Sequence, residues 1–279
     1  MTNGFFHRYH SRASLAPLAV AVLTVFSFGQ LLAESAQALP IATFDTSLGS
    51  FQVELRSDVA PLTVENFINY VDTGAYNNTF IHRSIADFII QGGGYTANGA
   101  PFPYTTIPAH ITQNAPVQNE FNLSNTAGTL AMALLSGNPN SATSEWFFNL
   151  VDNSSNLDTQ NGGFTVFGDV LGNGMSVLDA IAAVPTYNAS GIWGGAFANL
   201  PLQNFDVNNT TNQITAANLI LINSVTITAP EPAAGILLLS GGALVGTGMR
   251  LRKRRRQQIQ NGRTRHAGDE PVCAKRENS

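Results

Sequence analysis

One arginine in the middle of this chain is conspicuous for its surroundings. Residues 39–229 contain two basic side chains, Arg56 and Arg83, no lysine, and thirteen carboxylates, a formal balance of 2 − 13 = −11. Arg83 is flanked by strand-like apolar residues, where an arginine serving only solvation is not expected. A guanidinium stays charged and presents five N–H donors in a fixed fork, so the chemistry open to it is electrostatic: gripping or stabilising an acceptor. The competing reading is a buried ion pair with one of the many carboxylates. Other chemistries have less behind them. Ser141 and Ser144 with His82 have the residue types of a hydrolase, but no nucleophile-elbow pattern surrounds either serine. Gly92, Gly93 and Gly94 are followed by no Lys-Ser/Thr pair, which makes them a tight turn rather than a phosphate cradle. His82 and His110 are far apart, and Cys273 is the sole cysteine, so no metal-ligand cluster or disulfide is expected in the middle stretch. His82 is read as a structural hydrogen-bonder, and no cofactor is expected.

These residues need a scaffold, and the pattern supplies one. With 44% hydrophobic and 11% charged residues, 279 residues can bury one good core or two small ones. Segments 41–46 and 51–56 alternate apolar and polar residues about a turn at 47–50, which predicts a hairpin with one buried face. Val64, Phe67, Ile68 and Val71 recur at helical spacing between Pro61 and Gly74, so a helix is expected over 63–71. A second is expected over 176–184, with Val177, Ile181 and Val184 on one face. Short strand-like runs follow at 80–81, 88–90, 129–134, 146–151, 164–167 and 219–228, and 185–218 reads as a long loop. Many short strands and two helices point to a mostly antiparallel barrel or sandwich. The acidic middle excludes nucleic acid as a partner, because phosphates demand a basic surface.

The two ends read as addresses. His7, Arg8, His10 and Arg12 precede an apolar run at 15–28 and then Ala36, Gln37 and Ala38, the order of a secretory signal peptide cut after residue 38. At the other end, Pro230, Glu231 and Pro232 precede an uncharged stretch at 233–249 and a basic cluster at 250–256. Seventeen apolar residues reach the lower limit of a bilayer span, and the positive-inside rule keeps the basic cluster cytoplasmic. This tail resembles the PEP-CTERM sorting signal of Gram-negative bacteria. The resemblance implies an exosortase-type membrane protease as a partner, contact with the inner membrane through 233–249, and an exported domain that ends periplasmic, anchored, or released to the surface. Residues 257–279 continue as a polar tail, expected to be disordered, where that family usually stops.

The run from Tyr76 to Gly94, YNNTFIHRSIADFIIQGGG, is similar to the signature of cyclophilins. So are GTLAMA at 128–133, SATSEWFF at 141–148 and FTVFG at 164–168, in the family's order and at suitable spacing. The resemblance covers 42–228. It implies a mainly β fold, a closed eight-stranded antiparallel barrel capped by two α-helices, with a substrate groove outside the barrel. It also implies a prolyl cis-trans isomerase acting on Xaa-Pro segments of exported polypeptides; for oligomeric state, which the sequence does not encode legibly, a monomer is the default expectation. Carried over motif by motif, Arg83 matches the catalytic arginine. Phe88, Ile89, Phe147 and Leu157 match the walls of the proline pocket, Phe164 its rim, Gln91 a polar groove residue, and Ala133 and Leu134 the strand whose backbone pairs with substrate.

Two positions depart from the family pattern. Glu145 stands among the substrate-binding positions where glutamine is usual; an ionised carboxylate only accepts hydrogen bonds, and one near Arg83 is expected to pair with it and compete with substrate. That keeps open a second reading, a proline-peptide binding module with weak catalysis, and the sorting-type tail keeps open a third, a surface or matrix scaffold. Asn156, just before Leu157, stands where many eukaryotic members carry tryptophan. The expected outcome is weak cyclosporin binding by calorimetry; submicromolar affinity would contradict it.

Overall fold

The computed structural model describes residues 38–206, 208 and 213–228. The proposed signal peptide, the 233–249 stretch, the basic cluster and the polar tail lie outside them. Among the described residues no helix is long and apolar enough to cross a membrane.

The opening hairpin forms as its alternation predicts. Strands β1 (Ile41–Thr46) and β2 (Gly49–Leu55) turn Ala42, Phe44, Phe51, Val53 and Leu55 inward. The turn is tighter than expected because Thr46 Oγ1 donates to the Gly49 carbonyl at 2.7 Å, and Gly49 takes a φ of 129° that favours glycine. Helix α1 (Pro61–Asp72) starts on Pro61, which has no N–H to lose at that position. Val64, Phe67, Tyr70 and Val71 are buried along its inner face. Its free N-terminal amides are taken by a remote side chain: Glu120 accepts from the Leu62 and Thr63 N–H groups at 3.1 and 2.8 Å.

The remaining strands of the main sheet are β3 (Thr79–Phe80), β4 (Arg83–Ile85), β5 (Ile89–Gly92), β7 (Thr129–Met132), β8 (Trp146–Asn149), β9 (Val166–Val170) and β13 (Leu221–Thr228). Their order is β3-β13-β1-β2-β9-β7-β8-β5-β4, every pair antiparallel. The two edge segments, β3 and β4, are consecutive in the chain. Between them Ile81 donates to the Ile220 carbonyl at 3.0 Å and His82 to the Gln91 carbonyl at 3.2 Å. The nine segments therefore occupy eight positions around a barrel, with β3 and β4 as one kinked strand. Aromatic rings fill its interior: Phe44 lies 5.0 Å from Phe51, 5.3 Å from Trp146 and 5.5 Å from Phe148. The longer helices, α1 and α3 (Gly174–Ala182), cap it through Phe67, Tyr70, Leu178 and Ile181. The second helix begins two residues earlier than the periodicity indicates, and Leu178 rather than Val177 is its buried contact. A single turn, α2 (Ser154–Leu157), lies beyond β8.

The stretch 185–218, read as loop, folds into a second small core. Short pieces β10 (Thr186–Tyr187), α4 (Ser190–Trp193), β11 (Leu200–Pro201) and β12 (Gln213–Ile214) gather there, β12 pairing with β6 (Phe102–Pro103). Trp193, Phe197, Leu200 and Leu219 pack with Phe80 and Phe102. These pieces are too short for a period to show in the sequence. Arg83–Ile85 escaped for the same reason, because the arginine interrupts its apolar run.

Candidate active site

Successive residues of a strand face opposite ways, and here both faces are apolar. Trp146 and Phe148 enter the barrel core, whereas Phe147 points out and joins Ile89, Ala131, Leu157 and Val166 in a separate cluster. Leu130 and Met132 go in while Ala131 and Ala133 go out; Ile90 goes in while Ile89 goes out. The register then lines up the outward side chains. Arg83 pairs with Gln91, Gln91 with Phe147, Phe147 with Ala131 and Ala131 with Val166, one row across five strands. Cross-strand partners share a face, so Arg83 and Gln91 stand at one end of an apolar row.

A pocket of about 360 Å³ opens along this row. Phe88, Ile89, Phe147, Leu157 and Phe164 supply its apolar walls, with Phe164 edge-on to Phe147 at 5.7 Å. Arg83 and Gln91 line one side, Ala133 and Leu134 another. Nine of the ten residues predicted from the sequence are thus brought together. The tenth, Glu145, lines an adjoining hollow of about 500 Å³ that shares Gln91, Ala133 and Leu134 with the first. Ser136, Gln160 and Asn161 also reach the pocket and were not anticipated. Asn161, Gly162 and Gly163 all have positive φ, so a QNGG turn was the available signal for two of them. At Gly163 a Cβ would lie 2.3 Å from the Phe121 ring, which restricts the turn to glycine.

Electrostatics separate the two arginines. Arg56 binds Asp58 at 2.9 Å and Asp169 at 3.2 Å. Arg83, half-buried, donates through Nη1 to Gln91 Oε1 at 3.1 Å and is within ion-pair distance of no carboxylate among the described residues. Burial lowers its pKa from the ordinary value, and no anion acts to raise it. The expected pairing of Glu145 with Arg83 is not what the structure contains. Glu145 Oε2 accepts from Gln91 Nε2 at 2.7 Å, and Oε1 lies 3.0 Å from His110 Nε2. Its charge is satisfied from the other side, which leaves the guanidinium facing the pocket without an anion. His110 was unremarkable in the sequence because a loop carries no period to mark it.

A buried amide chain braces the pocket from behind. Asn153 Nδ2 donates to the Phe88 carbonyl at 3.0 Å and to Asn149 Oδ1 at 2.8 Å. Asn149 Nδ2 reaches Thr129 Oγ1 at 2.8 Å and Asn125 Oδ1 at 3.2 Å. Asn125 Nδ2 in turn binds Asp158 Oδ1 at 2.9 Å and the Phe164 carbonyl at 3.0 Å. Two wall residues on different elements, Phe88 and Phe164, are thereby tied through three side chains that are almost wholly buried.

The comparisons with known proteins agree with this geometry. The family model described as cyclophilin type peptidyl-prolyl cis-trans isomerase/CLD matches residues 41–211. A peptidyl-prolyl cis-trans isomerase of Acinetobacter baylyi is 42% identical over 161 residues, 57% of this chain and 80% of that protein. Peptidyl-prolyl cis-trans isomerase A of Dickeya dadantii is 36% identical over 65% of this chain and 88% of its own length. Peptidyl-prolyl cis-trans isomerase B of Escherichia coli is 41% identical over 52% and 86%. The chain belongs to the cyclophilin-type peptidyl-prolyl cis-trans isomerase family.

Replacing Asn153 by alanine leaves buried Asn149 Oδ1 short of a donor and the Phe88 carbonyl with the Leu150 N–H alone, so a loss of about 1–3 kcal/mol in stability is expected. Urea denaturation checks it, and KM for a proline peptide should rise as the Phe88 wall loosens. Stability within about 0.5 kcal/mol of the parent contradicts the bracing role.

Proposed function

We propose that this chain catalyses cis-trans isomerisation of Xaa-Pro peptide bonds and thereby assists the folding of exported proteins. The observation that carries the reading is a guanidinium held by Gln91, within ion-pair distance of no carboxylate among the described residues, at the edge of an apolar pocket. Rotating an amide costs its C–N resonance, a barrier of about 18–20 kcal/mol, and uncatalysed Xaa-Pro exchange takes tens to hundreds of seconds. No bond breaks, so neither nucleophile nor cofactor is required. As the amide twists, the prolyl nitrogen regains its lone pair and becomes an acceptor that neither planar isomer offers. A donor from Arg83 at that nitrogen is stronger in the twisted state than in either ground state, the condition for catalysis. Phe147, Leu157 and Phe88 hold the ring while the preceding carbonyl swings. The reading as a binding module rested on Glu145 blocking Arg83, and Glu145 binds Gln91 and His110 instead.

Arg83→Ala is expected to lower kcat on an Xaa-Pro peptide by about 10²–10³-fold with KM little changed, measured by exchange NMR or a protease-coupled assay. A kcat within about twofold of the parent would falsify the role given to Arg83.

We further infer that the domain at 39–229 works outside the inner membrane. Residues 1–38 are its signal peptide and 230–256 its sorting tail, cut by an exosortase-type membrane protease, with 257–279 as a polar extension. The support is the order of basic, apolar and small segments at one end, and of Pro-Glu-Pro, apolar and basic segments at the other. Mass spectrometry of the protein from its native cell should find Leu39 as the first residue and the basic cluster removed. Recovery of both ends intact contradicts the inference.

A further inference from the structure

Glu145 is mostly buried and lies between two imidazoles. One oxygen is 3.0 Å from His110 Nε2; the other accepts from Gln91 and is 3.5 Å from His82 Nε2. The second ring nitrogen of His110, Nδ1, lies 2.9 Å from the Ile111 carbonyl oxygen. A carbonyl oxygen cannot donate, and a carboxylate oxygen accepts. Both nitrogens of His110 thus face acceptors, and a neutral imidazole has one N–H for two of them. For both contacts to be hydrogen bonds at once, the pair must hold one more proton than a neutral imidazole and a carboxylate. Gln91 links this pair to the pocket. Because its amide NH₂ is used on Glu145, its carbonyl oxygen is turned to Arg83 Nη1. A flipped amide would set NH₂ against guanidinium, donor against donor.

We propose that His110 is a positioning residue for the isomerase. Its proton holds Glu145 as the acceptor that orients Gln91 and, through Gln91, Arg83, so turnover depends on pH although the reaction itself moves no proton. This rests on the isomerase reading above. The titratable and charged groups around the pair are His82 and Arg83 on the strand segment 79–85 and Tyr95 in the loop after β5. Tyr95 packs edge-on against both rings, 4.9 Å from His110 and 5.1 Å from His82. Burial, and then the charge of Glu145, raise the Tyr95 hydroxyl pKa. The hydrogen bond to Glu145 is the largest influence on His110 and lifts its pKa above the ordinary value, against a smaller opposing effect of burial. For Glu145, burial pushes the pKa up, but hydrogen bonds from His110, His82 and Gln91 outweigh it and hold the carboxyl well below the usual range.

The sign follows. A histidine whose folded-state pKa is raised contributes fully below its ordinary value, about 6.5, and loses that contribution as pH climbs through the raised value. Above it, the single N–H of neutral His110 serves either Glu145 or the Ile111 carbonyl, not both. The carboxylate loses its charged donor, and Arg83, which shares Gln91 with it and has no carboxylate in ion-pair range among the described residues, is free to compete for it.

The test is kcat/KM on an Xaa-Pro peptide by exchange NMR, which needs no coupling protease, from about pH 5 to about pH 9. Side-chain NMR of His110 is followed over the same range. The parent is expected to lose about fivefold in kcat/KM across one titration that coincides with that of His110. His110→Gln should be flat near the parent's alkaline level, and Glu145→Gln flat with His110 titrating near its ordinary value. A merely structural histidine would lower the rate equally at every pH. A flat parent profile while His110 titrates overturns the proposal, as does an inflection that survives His110→Gln. If that variant does not fold, the coincidence in the parent and the Glu145→Gln profile decide. Flat turnover overturns this inference alone; no turnover at any pH overturns the isomerase reading with it.

Discussion

The site depends on strand register. Arg83, Gln91, Phe147, Ala131 and Val166 come from five strands, and nothing but their pairing sets them in one row. A slip of one residue in β8 would drive Phe147 into the barrel and turn Trp146 and Phe148 out. That slip is opposed by the core itself, where Trp146 and Phe148 pack on Phe44. The interior therefore fixes the exterior: aromatic packing inside the barrel decides which side chains meet outside it. Glycine enforces the same register at β5, where a Cβ on Gly92 would come within 2.7 Å of the Trp146 ring.

Charge is handled by the same economy of position. A domain with thirteen carboxylates and two arginines would be expected to neutralise both cations. Arg56 conforms, with two aspartates on it. Arg83 does not pair with a carboxylate among the described residues; Glu145, with which it shares Gln91, is held by His110 and Gln91. On the proposed mechanism, a half-buried arginine with no carboxylate in ion-pair range among the described residues keeps its remaining donors for an acceptor that appears only when an amide twists. The cost of holding it there is offset by the Gln91 carbonyl and by the network that stiffens the surrounding walls.

Much of this was legible in the sequence. The hairpin and α1 follow from period-2 and period-3.6 patterning, and nine of the ten residues picked by motif resemblance line one pocket. What stayed hidden has physical reasons. The strand at Arg83–Ile85 is three residues long and starts with a charge. The small core around Trp193 and Phe197 is built from pieces too short to show a period. His110 sits in a loop, and its partner is 35 residues away, so no local pattern announces the pair. Glu145 stood out as a departure from the motif, but its partner was assigned by charge alone, and geometry selected a different one.

Catalysis by this site requires Arg83 to point at the prolyl amide when substrate is present. A crystal structure with an Xaa-Pro dipeptide measures that directly. The proline ring should stack against Phe147 inside the pocket, with a guanidinium nitrogen of Arg83 roughly 3 Å from the prolyl nitrogen or the carbonyl oxygen before it. A dipeptide bound elsewhere, or an Arg83 swung onto Glu145 with the pocket empty, would contradict it.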